Sequence, residues 1–230
     1  MKRYDVFLLD ADDTLFDFAA CCQNALRRAM QGLGFSYGEG DYLQYLKIND
    51  ALWRRLERRE ITHQQLFSLR FNEFLARIGQ STEKAAQLNL AYIAALSEEC
   101  VPLAGAEDFL KRLKELGRVY IVTNGTASVQ RGRFQKFPLE KYVENIFISE
   151  ELGVYKPSEA YFDQVVSQIP CFKKERALII GDSLTSDIAL ANGAKVDCVW
   201  YNPRKKPLKI GFFPTYTAEN YQEILKIIQN

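Results

Sequence analysis

The chain of 230 residues is long enough for one large domain, or for one domain that carries a modest insertion. Its 47% hydrophobic and 26% charged residues are typical of a globular protein in solution. Thirty basic and 29 acidic side chains leave a net charge of +1, which excludes a global field for nucleic-acid polymers or anionic membranes, and no apolar window is long enough to span a bilayer.

The rarer residue types narrow the class further. The five cysteines are an odd number and form no C-x-x-C pair, which indicates reduced thiols in a cytoplasmic protein rather than disulfides or a zinc site. The single histidine, His63, lies beside Thr62 and Gln65, whose spacing is typical of a capping box at a helix start. We therefore expect a surface role for His63.

The first predicted element is a buried strand that ends in acidic residues. The apolar run 6–9 leads directly into Asp10, Asp12 and Asp13. In extended backbone Asp10 and Asp12 point to the same side, and two ionised carboxylates there need a counter-cation or a proton. The alternative interpretation is that these residues only end a strand and begin a turn, as Asp often does.

The next part of the chain contains no convincing strand and predicts a succession of helices. Amphipathic spacing predicts helices at 19–33, 49–59, 62–79 and 81–98, the third capped by Thr62 and ended by Gly79. Four helices of this length can form a small bundle of their own. We therefore expect residues 17–101 to form a helical domain inserted into a second one.

From Pro102 onward the pattern changes to strand–helix alternation. Strands are predicted at 119–122, 146–148, 177–180 and 196–201, with an edge strand near Thr215, and helices at 106–116, 127–136, 158–169, 185–192 and 220–228. This alternation is typical of an α/β fold with a parallel sheet and right-handed crossovers. The predicted fold is a Rossmann-like, doubly wound core of residues 1–16 and 102–230 with an inserted four-helix domain of residues 17–101.

Polar side chains follow three of the buried strands at the point where each strand ends. They are Asp10 and Asp12, then Thr123 and Asn124, then Asp182. Lys156 lies in a loop of the same predicted core. Carboxylates, a lysine, a hydroxyl–amide pair and helix amides suit a phosphoryl group bound beside Mg²⁺. Each residue alone could instead be an ordinary helix cap or a surface side chain.

Four segments in this order resemble the four motifs of the haloacid dehalogenase (HAD) superfamily. They are DADDTL at 10–15, TNG at 123–125, the pair Lys156 and Pro157, and GDSLTSD at 181–187. The position of the helical insertion is similar to that of the cap domain of this superfamily. ISEELGVYKP at 148–157 and INDALW at 48–53 resemble the bacterial pyrimidine 5′-nucleotidases of the YjjG type.

The resemblance implies a phosphomonoesterase that works through an aspartyl-phosphate. It implies that Asp10 is the nucleophile, that Asp12 is the general acid and base, and that Lys156 neutralises charge. Thr123 and Asn124 would bind the phosphoryl oxygens. The Mg²⁺ ligands implied are the Asp10 carboxylate, the Asp12 main-chain carbonyl and Asp182, with Asp187 in the outer shell.

The substrate is expected to be a small phosphate ester, with pyrimidine nucleoside 5′-monophosphates as the leading class. Phe16, Phe18 and Trp53 could stack on a base while Asn49 bonds its edge, or these rings could simply pack the cap against the core. Phosphoglycolate or sugar-phosphate hydrolysis is the alternative enzyme function. A phospho-aspartate receiver is a non-enzymatic alternative, although a receiver needs no helical lid. The sequence leaves the oligomeric state open.

Overall fold

The computed structural model describes residues 4–230 and is built around a six-stranded parallel sheet. The strands are β1 (Val6–Leu9), β2 (Arg118–Thr123), β3 (Asn145–Ile148), β4 (Ala177–Gly181), β5 (Asp197–Tyr201) and β6 (Tyr216–Ala218). They lie in the order β3-β2-β1-β4-β5-β6, and every neighbouring pair is parallel. The predicted parallel α/β sheet, with its edge strand near Thr215, is confirmed.

Helices occupy both faces of this sheet and the predicted insertion. They are α1 (Phe18–Gly32), α2 (Asp41–Glu57), α3 (His63–Arg77), α4 (Ala85–Ser97), α5 (Ala106–Leu116), α6 (Ala127–Lys136), α7 (Ser149–Leu152), α8 (Glu159–Ser167), α9 (Ala189–Ala194) and α10 (Tyr221–Gln229). The prediction for α2 was wrong at its start, because the helix begins at Asp41 rather than Asn49. Tyr45 extends its buried face by one turn and packs against Phe71, Phe74 and Tyr92.

The central strand β1 is buried on both faces, as its continuous apolar run predicts. Phe7 and Leu9 contribute to the apolar cluster that contains residues of α5 and α10. Val6 and Leu8 contribute to the cluster on the other face, with residues of α8 and α9. The sheet is therefore covered on both sides, which confirms the doubly wound arrangement.

The four helices α1 to α4 pack on one another rather than on the faces of the sheet. Helix α1 contacts α4, and α3 contacts both α2 and α4. Their apolar interior includes Cys22, Leu26, Phe71, Phe74 and Tyr92, and it is distinct from the two clusters of the sheet. Helix α4 also contacts α6, so this group of helices is held beside the sheet.

Two chain segments run side by side where these helices leave and rejoin the rest of the chain. Phe16 forms an isolated antiparallel bridge with Pro102, and the Asp17 N–H donates to the Val101 carbonyl at 2.8 Å. We propose that residues 17–101 are the cap and that 1–16 and 102–230 are the core, of which 1–3 lie outside the described residues.

The cysteines and the helix lengths of residues 4–230 bear on the predicted class of the protein. All five cysteines are free thiols, as the sequence predicts. In the same range, no helix has both the length and the apolar character that a membrane crossing requires.

Candidate active site

A cleft of about 680 Å³ lies at the carboxyl edge of the sheet. It is lined by residues at the strand ends, such as Asp10, Thr123 and Asp182, and by cap residues such as Asn49 and Trp53. Its volume is in the range of pockets that bind small molecules. The predicted convergence of strand ends from distant parts of the chain is therefore present.

Asp10 is held in place through both oxygens of its carboxylate. Its backbone N–H donates to the Ile180 carbonyl at 2.9 Å, which continues the pairing of β1 with β4. Lys156 Nζ donates to Asp10 Oδ1 at 2.7 Å, and Thr14 Oγ1 donates to Oδ2 at 3.2 Å. Asp10 is 7% exposed and lines the cleft.

Lys156 uses all three donors of its ammonium group in the interior. Besides Asp10 Oδ1, Nζ donates to Asp187 Oδ1 at 2.7 Å and to the Val122 carbonyl at 2.8 Å. Burial alone would lower the pKa of Lys156, but the Asp10 and Asp187 carboxylates raise that pKa above its ordinary value. Lys156 is therefore a fixed positive charge at the bottom of the site.

Asp10, Asp182 and Asp187 form an acidic cluster in which one oxygen from each carboxylate lies within 4.8 Å of the others. Burial raises the pKa of Asp10 well above its usual range; Lys156 opposes this shift, and Asp187 and Asp182 add to it. Burial, with Asp187 and Asp13, raises the pKa of Asp182 to about 7 against the opposing charge of Lys206. Crowded carboxylates of this kind are the donor set that a hard divalent cation prefers, so the residues fit Mg²⁺.

Asp187 is fully buried and contacts Lys156 through one oxygen. Its other oxygen accepts from the Ser183 N–H at 3.1 Å. A Cβ atom at Gly181 would lie 2.3 Å from Asp187 Cγ, so this close approach requires glycine. The helix predicted at 185–192 is present, and its first part, Leu184–Ile188, is a π-helical turn that α9 follows. Such turns often occur at functional sites.

Asp12 has two partners on α6 that the sequence analysis missed. Arg133 forms a close ion pair with Asp12 Oδ1, and Gln130 Nε2 donates to Oδ2 at 2.6 Å. Arg133 is fully buried and also donates to the Glu99 carbonyl at 3.4 Å, beside the end of the cap. Gln130 and Arg133 are three residues apart and share one face of α6. This spacing is the local sequence feature that could have indicated that both side chains contact one group.

Thr123 and Asn124 lie at the end of β2 as predicted, and their side chains form hydrogen bonds with different partners. Thr123 Oγ1 accepts from the Gly125 N–H at 3.1 Å, which leaves the hydroxyl proton for another acceptor. Asn124 Oδ1 accepts from the Lys156 N–H at 2.8 Å, and its Nδ2 donates to the Lys156 carbonyl at 2.9 Å. The Asn124 amide therefore holds the Lys156 segment, and because Asn124 also lines the cleft, its hydrogen bond to a phosphoryl oxygen stays a prediction.

The predicted substrate contact of Phe16 is wrong. Its ring is fully buried and packs against Phe134 and Phe137 at centroid distances of 6.0 and 5.4 Å. The pairing of Phe16 with Pro102 at the base of the cap directs the ring into the core. Phe18, by contrast, is among the residues that line the cleft.

The cap residues Asn49 and Trp53 both line the cleft. They are four residues apart on α2 and therefore share one face of the helix. Asn49 is 2% exposed, and its Oδ1 accepts from Tyr45 Oη at 3.3 Å. Trp53 meets the ring of His63 edge-on, with centroids 5.5 Å apart.

His63 is not the surface residue that we expected, although the capping box of Thr62 and Gln65 is confirmed. Its side chain is 10% exposed and stacks on Tyr155 with centroids 4.8 Å apart. Nδ1 lies 3.7 Å from Glu150 Oε1, and burial lowers the pKa of His63 below its usual value. This ring therefore belongs to the contact between cap and core.

Sequence and structure comparisons place this arrangement among known proteins. A sequence model of the haloacid dehalogenase-like hydrolases matches residues 4–195. The HAD-hydrolase YfnB of Bacillus subtilis is 36% identical, over 99% of this chain and 97% of its own. A magnesium-bound crystal structure of YfnB, which reveals interdomain movement, has a TM-score of 0.93 and covers 100% of both chains.

Two relatives carry a substrate class in their names. The pyrimidine 5′-nucleotidase PynA of Streptococcus pneumoniae is 35% identical, over 96% of this chain and 94% of its own. The pyrimidine 5′-nucleotidase YjjG of Escherichia coli is 30% identical, over 98% of each chain.

Proposed function

The chain belongs to the haloacid dehalogenase-like hydrolase family, and we propose that it is a Mg²⁺-dependent phosphomonoesterase for pyrimidine nucleoside 5′-monophosphates. Its similarity to PynA and YjjG supports a phosphoric monoester hydrolase with nucleotide substrates. One observation supports this chemistry above the others: Asp10 lines a cleft, contacts Lys156 at 2.7 Å and lies in an acidic cluster with Asp182 and Asp187.

The first step is the attack of an Asp10 carboxylate oxygen on the phosphorus atom of the ester. The bond between phosphorus and the nucleoside 5′-oxygen breaks, and an aspartyl-phosphate forms on Asp10. Asp12 donates a proton to the departing oxygen, so that the nucleoside leaves as a neutral alcohol. Arg133 and Gln130 hold the Asp12 carboxylate in one orientation for this transfer.

The second step releases phosphate and restores the enzyme. A water molecule attacks the phosphorus, Asp12 takes its proton, and the bond between phosphorus and the Asp10 oxygen breaks. Lys156 remains bound to Asp10 and offsets negative charge, while the Thr123 hydroxyl donates to a phosphoryl oxygen. Asp10, the Asp12 main-chain carbonyl and Asp182 would hold Mg²⁺, with Asp187 in its outer shell, and the bound ion would supply further charge neutralisation to the phosphoryl oxygens.

The cap supplies the contacts to the leaving group. We infer that Trp53 stacks on the base and that Asn49 bonds its edge, since both side chains line the cleft. The molecule bound is a small phosphate ester rather than a nucleic-acid polymer or a membrane, in keeping with a net charge of +1. The five free thiols support a cytoplasmic location.

A phosphate-release screen tests this function. Purified protein is assayed with Mg²⁺ against UMP, CMP, dTMP, AMP, GMP, sugar phosphates and phosphoglycolate, and each assay is repeated with excess EDTA. We expect repeated turnover with Mg²⁺ only, and higher kcat/KM for the pyrimidine nucleotides than for the purine nucleotides. Preference for phosphoglycolate or a sugar phosphate would overturn the nucleotide assignment. A single stoichiometric labelling without turnover would instead favour a receiver.

A further inference from the structure

A buried arginine lies on the cap side of the cleft, among neutral and aromatic side chains. Arg70, on α3, is 3% exposed and is among the residues that line the cleft. Within residues 4–230 it forms no ion pair, and its two hydrogen-bond acceptors are neutral: Asn49 Oδ1 at 3.5 Å and Asn89 Oδ1 at 2.6 Å. Its Nε is buried and has no hydrogen-bond partner there.

A buried cation without a counter-charge is unfavourable unless its donors are satisfied. Three aromatic rings compensate part of the charge, since the guanidinium carbon lies 4.9 Å from the Tyr92 centroid, 5.2 Å from that of Phe71 and 5.5 Å from that of Phe67. The rings cannot accept the Nε hydrogen as a carbonyl oxygen would. The arrangement therefore suits a ligand that brings an acceptor to Arg70.

Asn49 adds a second donor beside this arginine. Its Oδ1 already accepts from Tyr45 and Arg70, which fixes the orientation of the amide. Among the described residues, its Nδ2 donates no hydrogen bond, although Asn49 lines the cleft. Arg70 and Asn49 together thus offer donors to the edge of a planar group that lies between the cap and the strand ends.

We propose that Arg70 binds the base of the substrate by donating to the 2-carbonyl oxygen of a pyrimidine ring, with Asn49 binding the adjacent edge. This inference rests on the proposed function, because it assumes a nucleoside monophosphate whose phosphoryl group is at Asp10. Uracil, cytosine and thymine all carry the O2 acceptor, and adenine and guanine present the ring nitrogen N3 as an acceptor at the equivalent position. A sugar phosphate without a base has no such acceptor, and a site built around a buried donor discriminates strongly against ligands that leave it unpaired.

The test compares Arg70→Met with Arg77→Met, an exposed arginine on the same helix that lies outside the cleft. The substrates are UMP, AMP and ribose 5-phosphate, which has no base. Arg70→Met should lower kcat/KM for UMP by about 10- to 100-fold, mainly through KM, and much less for ribose 5-phosphate, which offers no acceptor to Arg70. AMP, whose N3 can accept from Arg70, should also lose activity. Arg77→Met should leave all three values unchanged.

A substrate analogue identifies the atom that Arg70 recognises. The ribonucleotide of pyrimidin-2-one keeps the 2-carbonyl and lacks the 4-substituent, so the wild-type protein should hydrolyse it at a rate similar to UMP. Arg70→Met should lower the rates for both. Loss of hydrolysis by the wild-type protein on removal of the 4-substituent would overturn the assignment to the 2-carbonyl.

Other outcomes separate this inference from the proposed function. If the wild-type protein prefers UMP over ribose 5-phosphate but Arg70→Met keeps that ratio, the role of Arg70 is wrong and the nucleotidase function stands. Equal loss on UMP and ribose 5-phosphate would show that Arg70 has only a structural role. A wild-type preference for phosphoglycolate would contradict both. If Arg70→Met does not fold, Asn49→Ala and Arg70→Lys provide the same UMP-to-ribose-5-phosphate comparison.

Discussion

Asp12 has both carboxylate oxygens engaged by α6, and this arrangement fixes the orientation of its side chain. Arg133 and Gln130 bind one oxygen each, so the carboxylate cannot rotate freely. A general acid that is misplaced by even about 1 Å can lose on the order of 100-fold in rate. We therefore treat Arg133 as a positioning residue that acts through Asp12 rather than on the substrate.

Arg133→Met should lower kcat for a nucleotide by about 100-fold, because its alkoxide leaving group needs the proton of Asp12. The loss should be much smaller for p-nitrophenyl phosphate, whose leaving group departs without protonation. The free energy of unfolding should fall by roughly 3 kcal/mol. This is the low end of the range for breaking a buried ion pair, because the Asp12 side chain is 26% exposed. The control is Arg131→Met, which removes a half-exposed partner of Glu151. Equal losses on the two substrates would contradict the positioning role.

Gly181 has no room for a side chain, because Asp187 occupies the space that a Cβ atom would need. Gly181→Ala would place a Cβ atom 2.3 Å from Asp187 Cγ and push this carboxylate away from Lys156. We expect a loss of about 1–3 kcal/mol in the free energy of unfolding and lower activity. Gly193→Ala is the matched control, since nothing lies within 4 Å of its Cβ, and it should add about 0.5–1 kcal/mol. Urea titrations give the free energy of unfolding of both variants, and steady-state assays give their kcat. Equal effects of the two substitutions would refute the steric explanation.

Among the elements, the contact of α3 with the segment before Lys156 links cap and core. His63 stacks on Tyr155, and Glu150 and Arg70 are the charged groups that affect it. Burial lowers the pKa of His63, Glu150 raises it and Arg70 lowers it further, with a net decrease. The folded protein therefore binds a proton at His63 less readily than the unfolded chain, whose histidine has a pKa of about 6.5.

This difference predicts an acid-sensitive stability. The contribution of His63 is fully present above the unfolded pKa of about 6.5 and is lost as the pH falls through the lower folded pKa, by at most about 1.4 kcal/mol per pH unit. Urea unfolding at about pH 7.5 and about pH 5.5 should show a larger loss for the wild-type protein than for His63→Gln. Asp182, whose pKa is raised to about 7, titrates in the same range in both proteins, so the difference between the two losses isolates His63. Equal losses would refute the prediction.

Helices and strands were predictable from the sequence where burial or capping produces a recognisable pattern of neighbouring residues. Buried strands such as β1 and β4 are continuous apolar runs, and the start of α3 carries the capping box at Thr62. The start of α2 had no such signal, because its N-cap is Gly40 and makes no side-chain hydrogen bond. The π-helical form of Leu184–Ile188 was also missed, and the contact that Asp187 makes from this turn is with Lys156, 31 positions away in the chain.

For the molecule as a whole, the order of the strands explains why the site lies where it does. The chain crosses to opposite sides of β1, so β2 and β4 flank it, and open α/β sheets bind ligands at such a switch point. The strand-end residues were therefore predictable in outline. The Arg133–Asp12 pair spans 121 positions, and the neutral surroundings of Arg70 combine three cap helices, so neither could be read from local sequence.

The central claim is that Asp10 receives the phosphoryl group. The most direct measurement is an acid-quenched single turnover with Mg²⁺ and the best substrate of the screen, followed by mass analysis of the peptides. We expect one phosphoryl group on the peptide that contains Asp10, formed no more slowly than nucleoside is released, and none in Asp10→Asn. Phosphate release without a phosphorylated peptide, or phosphorylation of another residue, would contradict the assignment of Asp10 as the nucleophile.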